Sequence, residues 1–217
     1  MIVIKRGKEP NSLLKFRKEN PDADYESDMP TDVLKDIREQ MWEEQRCLCA
    51  YCRKKIEAPS VVRIEHCRPR HPQDEQEHDK KATLDFKWML GVCYGNSLVR
   101  GVKPKDKTCD AHRGNTELTV NPFDEMSVRK IKYKADGSIY SEDAEINKDV
   151  TETLNLNCQA LSLPQTRKNV LMAEKNRIMR KCRGKSQDAF MRELERTYTS
   201  LVQERNLTPY CGIIISW

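Results

Sequence analysis

No run of roughly eighteen apolar residues occurs anywhere in this 217-residue chain, so it lacks the material of a membrane-spanning helix. The opening Met-Ile-Val-Ile-Lys-Arg-Gly-Lys also lacks the apolar stretch and small-residue cleavage site of a secretory signal. A cytosolic (cytoplasmic) protein with no membrane association is the expectation. Internal repeats and low-complexity tracts are missing too. Large apolar residues are scarce between residues 46 and 114, a stretch rich in Cys, His, Pro and Gly. Burial alone is not expected to hold that stretch together.

With 37% hydrophobic and 34% charged residues, the chain is long enough for one sizeable core or two small modules. Its nine cysteines are an odd number and follow no export signal. That pattern fits reduced thiols, some holding a metal, better than a disulfide framework. The formal charge is only +5, but it is unevenly spread. Residues 1–20 hold six Lys/Arg against two Glu, residues 22–46 hold nine Asp/Glu against three Lys/Arg, and residues 164–185 hold eight Lys/Arg against one Glu. Separated basic and acidic segments suggest an anionic partner on one face, although any single charge run can equally be a solvated helix face.

Periodicity orders the rest. Ile2 and Ile4 alternate as in a short edge strand, and a basic segment with Leu13, Leu14 and Phe16 follows. Residues 20–30 read as an acidic loop. A helix capped by Thr31 or Asp32 carries Val33 or Leu34, Ile37 and Met41 at helical spacing to about Gln45. Residues 128–140, with Asp136-Gly137 between alternating segments, predict a hairpin. Two helices, Pro164–Arg183 and one from Ser186 through Phe190, Leu194, Tyr198, Leu201 and Val202, predict a helical hairpin broken at Gly184. The final Tyr-Cys-Gly-Ile-Ile-Ile-Ser-Trp is expected to be a buried strand or docking tail.

Cys49-Ala-Tyr-Cys52 has the C-x2-C spacing that lets two thiolates from one tight turn bind one Zn2+, leaving two tetrahedral positions. Cys93 and Cys109 sit in polar, Gly-containing segments suited to a second knuckle, while Cys47, Cys67 and His71 compete as ligands. Cys158, Cys182 and Cys211 lie in the helical or apolar C-terminal part and read as core thiols. Four protein ligands leave no open position, so such a zinc is structural and any chemistry needs other residues. Arg63-Ile64-Glu65-His66-Cys67-Arg68-Pro69-Arg70 supplies a carboxylate directly before a histidine, between the halves of the cysteine set. His71 and His78 fall in a charged loop and read as solvated.

Together, Cys49-Ala-Tyr-Cys52, Ile64-Glu65-His66-Cys67-Arg68-Pro69-Arg70, Leu90-Gly91-Val92-Cys93-Tyr94-Gly95-Asn96 and Cys109-Asp110-Ala111-His112-Arg113-Gly114-Asn115 follow one another as the pieces of an HNH endonuclease do. The arrangement resembles the HNH subunits of Septu-type and retron-associated antiphage systems, the PtuB-like group. Met-Ile-Val-Ile-Lys-Arg and Glu152-Thr-Leu-Asn-Leu-Asn157 share that likeness, and the motif match covers about residues 31–123.

The resemblance implies an α+β fold: a ββα-metal nuclease core with structural zinc over residues 31–123, an N-terminal arm over 1–30, and a hairpin and helical region over 124–217. It implies cleavage of nucleic-acid phosphodiesters, with His66 as base, Glu65 on a catalytic Mg2+ or Mn2+, and Asp110 or His112 as second ligand. Arg113 would meet the scissile phosphate. The family's middle Asn is replaced around Lys87-Trp88-Met89, so that role falls to Asn96 or to a substituted position near Trp88; Glu65 stands where Asp is commoner. The implied partners are a PtuA-like ABC-type ATPase and, in retron systems, a reverse transcriptase with its RNA–DNA hybrid. The contrasting reading is a zinc-stapled adaptor for nucleic acid or protein, with no catalysis.

Overall fold

A computed structural model of the chain describes residues 1–70, 80–203 and 207–217; His71 and His78 lie outside the described residues. The fold is mixed α+β, with helices around two small antiparallel sheets. Residues 1–10 form no strand, contrary to the alternation of Ile2 and Ile4. Ile4 instead donates its backbone N–H to the Pro122 carbonyl over 2.9 Å and buries its side chain. One backbone bond of this kind satisfies the chain without a ladder. The basic segment that follows is helix α1 (Asn11–Glu19), with Leu13 in the core.

Helix α2 (Thr31–Glu44) buries Val33, Ile37 and Met41, as their spacing requires. Its N-cap is Pro30, with no side-chain cap bond, so neither Thr31 nor Asp32 plays the expected part. Pro30 lacks an N–H and cannot continue the helix backwards, and its extended backbone launches the first turn. Past its C-terminus, Gln45 is 2% exposed and uses its amide fully. Its Nε2 donates to the Leu48 and Gly91 carbonyls at 2.9 and 2.6 Å, and its Oε1 accepts from the Gly91 N–H at 2.7 Å.

That amide ties α2 to the first sheet, formed by β1 (Arg63–His66) and β2 (Met89–Val92). They pair antiparallel, with Arg63 opposite Val92 and His66 opposite Met89. The segment 46–114 borrows its core from neighbours: Tyr51, Ile56, Val62, Phe86, Met89, Leu90 and Val92 join one cluster with α1, α2 and residues 120–156. The larger core therefore crosses the boundaries expected at residues 30 and 123.

A short helix, α3 (Lys80–Thr83), precedes β2, and another, α4 (Asp110–Arg113), follows the second cysteine loop. Beyond α5 (Glu125–Arg129) comes the expected hairpin, β3 (Ile131–Tyr133) with β4 (Ile139–Ser141), turning at Gly137 with φ +87°. Helix α6 (Ala144–Lys148) runs into a π-helical turn at Asp149–Thr153. The helical hairpin is α7 (Leu163–Cys182) and α8 (Gln187–Gln203). Its basic run is used partly inside the hairpin, where Arg177 and Lys181 both bridge to Glu193.

The apolar C-terminal segment is a helix, α9 (Gly212–Ile215), and not a strand. Among the described residues no strand edge pairs with it. Its Ile213 and Ile214 dock in a second cluster with Leu48, Leu171 and Leu201. No described helix is long and apolar enough to cross a membrane.

Gly137 and Gly184 separate two kinds of glycine requirement. Both have positive φ, but a Cβ on Gly137 would fall on the Pro164 carbonyl oxygen, whereas one on Gly184 would meet nothing within 4 Å. Gly184→Ala should cost about 1 kcal/mol from backbone strain alone, and Gly137→Ala about 2–4 kcal/mol because the hairpin must also move away from α7. Urea unfolding midpoints measure both, and equal losses would show that the α7 contact is not limiting.

Candidate metal centre and active cleft

Cys49, Cys52, Cys93 and Cys109 are brought together from three separate segments, with their sulfurs all within 4.8 Å of one another. The contacts Cys49–Cys109, Cys52–Cys93 and Cys93–Cys109 measure 3.9, 3.7 and 3.8 Å. Four sulfurs at about 2.3 Å from a tetrahedral ion stand about 3.8 Å apart, so the cluster can hold a metal ion such as zinc. Cys47 and Cys67 stay outside it, and Cys158 and Cys211 are buried elsewhere. Among the described residues this is the one group of three or more His, Cys, Asp or Glu in metal-holding array.

Backbone geometry explains the assembly. The Cys49 N–H donates to the Lys54 carbonyl at 2.9 Å, and Arg53 takes φ +64°, closing the first turn and leaving Lys54 N–H 3.5 Å from Cys52 Sγ. In the second loop Gly95 has φ +52°, and a Cβ there would strike the Thr108 carbonyl, which only glycine avoids. The Thr108 N–H returns to the Gly95 carbonyl at 3.0 Å and delivers Cys109, itself at φ +56°. Burial alone pushes the Cys49 thiol up, but hydrogen bonds from Cys109, Cys52 and Cys93 carry it well below the ordinary thiol value. The same shared hydrogen bonds, with burial, push Cys52 and Cys109 well above it, so Cys49 is favoured as thiolate at its partners' expense.

Beside the cluster lies a cleft of about 360 Å³, lined by Tyr25, Arg63, Glu65, His66, Asp110 and Arg113 among others. His66 is 5% exposed, and its Nε2 lies 2.8 Å from the Thr83 carbonyl. A carbonyl only accepts, so Nε2 carries the proton and Nδ1 keeps its lone pair. Burial lowers the His66 pKa to about 4, which leaves the ring neutral above that pH. The Tyr25 ring meets it edge-on at 4.5 Å between centroids. Glu65 is buried, and burial raises its pKa to about 8. Arg113 opposes that rise, while the neighbouring Asp110 carboxylate reinforces it.

The structure places the alternatives left open by the sequence in different surroundings. Asp110 lies against Glu65 in the cleft. His112 instead directs Nδ1 to the Thr153 carbonyl, 3.0 Å away, and is not among the cleft's lining residues. Residues two apart on a helix face different sides, which separates the two. Asn96 also falls outside the cleft: at φ +71° it donates Nδ2 to the Asp106 carbonyl over 3.1 Å and braces the second cysteine loop. Trp88 is half-buried beneath the Arg68 guanidinium, 4.1 Å from its ring centroid, and its carbonyl accepts from the Cys67 N–H.

Arg113 lines the cleft from the inside. Its side chain is 1% exposed and each of its three nitrogens has an internal acceptor. Nε donates to the Thr116 carbonyl at 2.7 Å, Nη2 to the Cys67 carbonyl at 2.7 Å, and Nη1 to Glu65 and the His66 carbonyl. A guanidinium with all three nitrogens engaged in this way ties α4 to β1. The sequence reading missed Tyr25, Tyr51 and Arg63. Tyr51 donates its hydroxyl to Glu65 at 3.1 Å, and Arg63 pairs with Asp110. Tyr51's position inside the C-x2-C turn was the only local signal for any of them. Compared with family models and with curated proteins, the chain matches none.

Two outcomes follow. Loading the chain with Co2+ should give one tetrahedral thiolate-ligated ion per chain, read from its visible and charge-transfer bands, and Cys93→Ser should abolish that spectrum. Arg113→Met should destabilise the fold by about 3 kcal/mol, the low end for a broken buried pair. Burial raises the Glu65 pKa to about 8 even with Arg113 opposing, so losing that partner raises it further and Glu65 takes a proton, which limits the cost. Thermal or urea unfolding tests that value.

Proposed function

We propose that this chain is a metal-dependent endonuclease of the HNH type, its ββα element made by β1, β2 and α4 and braced by a structural zinc on the four cysteines. The observation that carries the reading is the convergence of His66, with Nδ1 unprotonated, and the Glu65–Asp110 carboxylate pair in one cleft. The resemblance of the Cys, Glu-His and Cys-Asp segments to that family supports it independently.

The donor chemistry suits a hard cation. Two carboxylates held close, with Asp110 adding to the cost of ionising Glu65, are the oxygen ligands that Mg2+ or Mn2+ prefer. When bound, such an ion supplies positive charge against the phosphate and the leaving oxygen. The chain supplies the rest. Neutral His66 accepts a proton from water at Nδ1, while its Nε2–H on the Thr83 carbonyl holds the ring in place. Tyr25 packs the ring from the side, and Arg113 with Tyr51 fixes Glu65. The Glu65 and Asp110 oxygens would hold the cation beside the reacting phosphate.

A cleft this small cannot read a long sequence, so specificity falls to basic surfaces or to a partner. On the strength of the resemblance, we extend the proposal to an antiphage effector working with a PtuA-like ATPase and, in retron systems, with a reverse transcriptase and its RNA–DNA hybrid. The test incubates purified chain, alone and after co-purification with its genomic neighbours, with DNA and with total RNA in Mg2+ or Mn2+. His66→Ala should lower cleavage by about a hundredfold to ten-thousandfold without loss of zinc or fold. Asp110→Ala should raise the cation concentration needed. Undiminished cleavage and phage protection by His66→Ala would leave the zinc-stapled adaptor as the better reading.

A further inference from the structure

Both carboxylates of the cleft have arginine partners, and the two arginines are built differently. Arg113, behind Glu65, is sealed in and uses Nε, Nη1 and Nη2 on internal acceptors. Arg63, beside Asp110, has a side chain 44% exposed and a single ion-pair contact, Nε to Oδ2 at 2.5 Å. Among the described residues no partner is seen for its two Nη groups. The Asp110 carboxylate is 10% exposed, so the pair stands at the cleft's rim with its arginine on the outside.

The strand explains that placement. Arg63 precedes Glu65 by two residues on β1, which sets both on one face. Its backbone is paired opposite Val92, immediately before Cys93, so the cysteine cluster holds the register. The other cations at the cleft are placed otherwise. Arg70 is paired with Glu26 and lies over the Tyr25 ring, while Lys107 offers a point charge without a planar fork.

We propose that Arg63 is the residue that meets the substrate phosphate: it pairs with Asp110 while no divalent cation is bound and moves to a non-bridging phosphate oxygen when a cation takes Asp110. The proposal rests on the nuclease reading and deepens it. An ion pair this exposed stabilises little, so displacing it costs little. A divalent ion on Asp110 removes the attraction and repels the guanidinium. The released fork matches two phosphate oxygens bidentately, and its distance from Asp110 is already that of an ion pair, which places it beside any phosphate sharing the cation.

Two binding measurements on the full chain test this without relying on turnover: Mn2+ titration by calorimetry, and binding of a labelled oligonucleotide, DNA and RNA in separate titrations, with Ca2+ or with EDTA. Arg63→Gln should bind Mn2+ about two- to fivefold tighter, the worth of an exposed pair, because its competitor for Asp110 is gone. The same variant should bind oligonucleotide about tenfold more weakly in Ca2+, the loss of a charge-assisted bond, with far less change in EDTA. Arg63→Lys, which keeps the charge and loses the fork, should restore the Mn2+ affinity of the unaltered chain but only part of the oligonucleotide affinity.

Unchanged or weaker Mn2+ binding by Arg63→Gln, or undiminished oligonucleotide binding in Ca2+, overturns the proposal and leaves Arg63 a static surface partner. Asp110→Asn and Glu65→Gln distinguish that failure from failure of the site itself. If both variants bind Mn2+ as well as the unaltered chain, the cation site is absent, and the nuclease reading falls with the proposal.

Discussion

Four cysteine sulfurs within 4.8 Å of one another join the end of α2, the end of β2 and the start of α4, and the geometry of the cleft descends from that junction. Without a metal, four thiols at this spacing, three of them buried, are a liability, since they compete for the same hydrogen bonds and ionising Cys49 comes at the expense of Cys52 and Cys109. With a metal, the liability becomes folding free energy, because the ligands must assemble before they can bind. The cluster fixes the backbone on either side of the cleft. Cys93 ends the strand that pairs with Arg63, and Cys109 begins the turn that presents Asp110.

A second, dependent constraint is the buried guanidinium of Arg113. It reaches from α4 to the carbonyls of His66 and Cys67 and to the Glu65 carboxylate, tying the helix back to β1. Burial of a charge is costly unless paired and hydrogen-bonded, and here every donor group finds an acceptor. The arrangement leaves Glu65 and Asp110 side by side with opposite supports, one arginine inside and one at the rim. The inner arginine is held on every nitrogen, while the outer one is half-exposed on a single contact.

The helices α2, α7 and α8 and the hairpin around Gly137 were legible in the sequence because their signals are local: apolar residues at helical or alternating spacing, and turn residues between them. The C-x2-C pair was legible for the same reason. The C-terminal segment docks as a buried tail, one of the two expected forms, and as a helix instead of a strand because Ile-Ile-Ile suits both. No described strand pairs with it, and packing against Leu171 of α7 and Leu48 decided the outcome. The alternation of Ile2 and Ile4 failed likewise, since its partner is a single carbonyl at Pro122.

What the sequence determined by itself is the chemistry available: four metal-binding thiols, a Glu-His pair between them and an Asp just after the last cysteine. Only the tertiary structure decided which of these meet. It set Asp110 rather than His112 against Glu65, because neighbours on a single helical turn face different ways. It withdrew Asn96 into the cysteine loop and Arg113 into the core, and it brought Arg63 and Tyr25 to the cleft. The physical reason is the same each time. A side chain's role depends on which distant backbone carbonyl, carboxylate or ring it can reach, and that reach is set by chain crossings that local sequence does not encode.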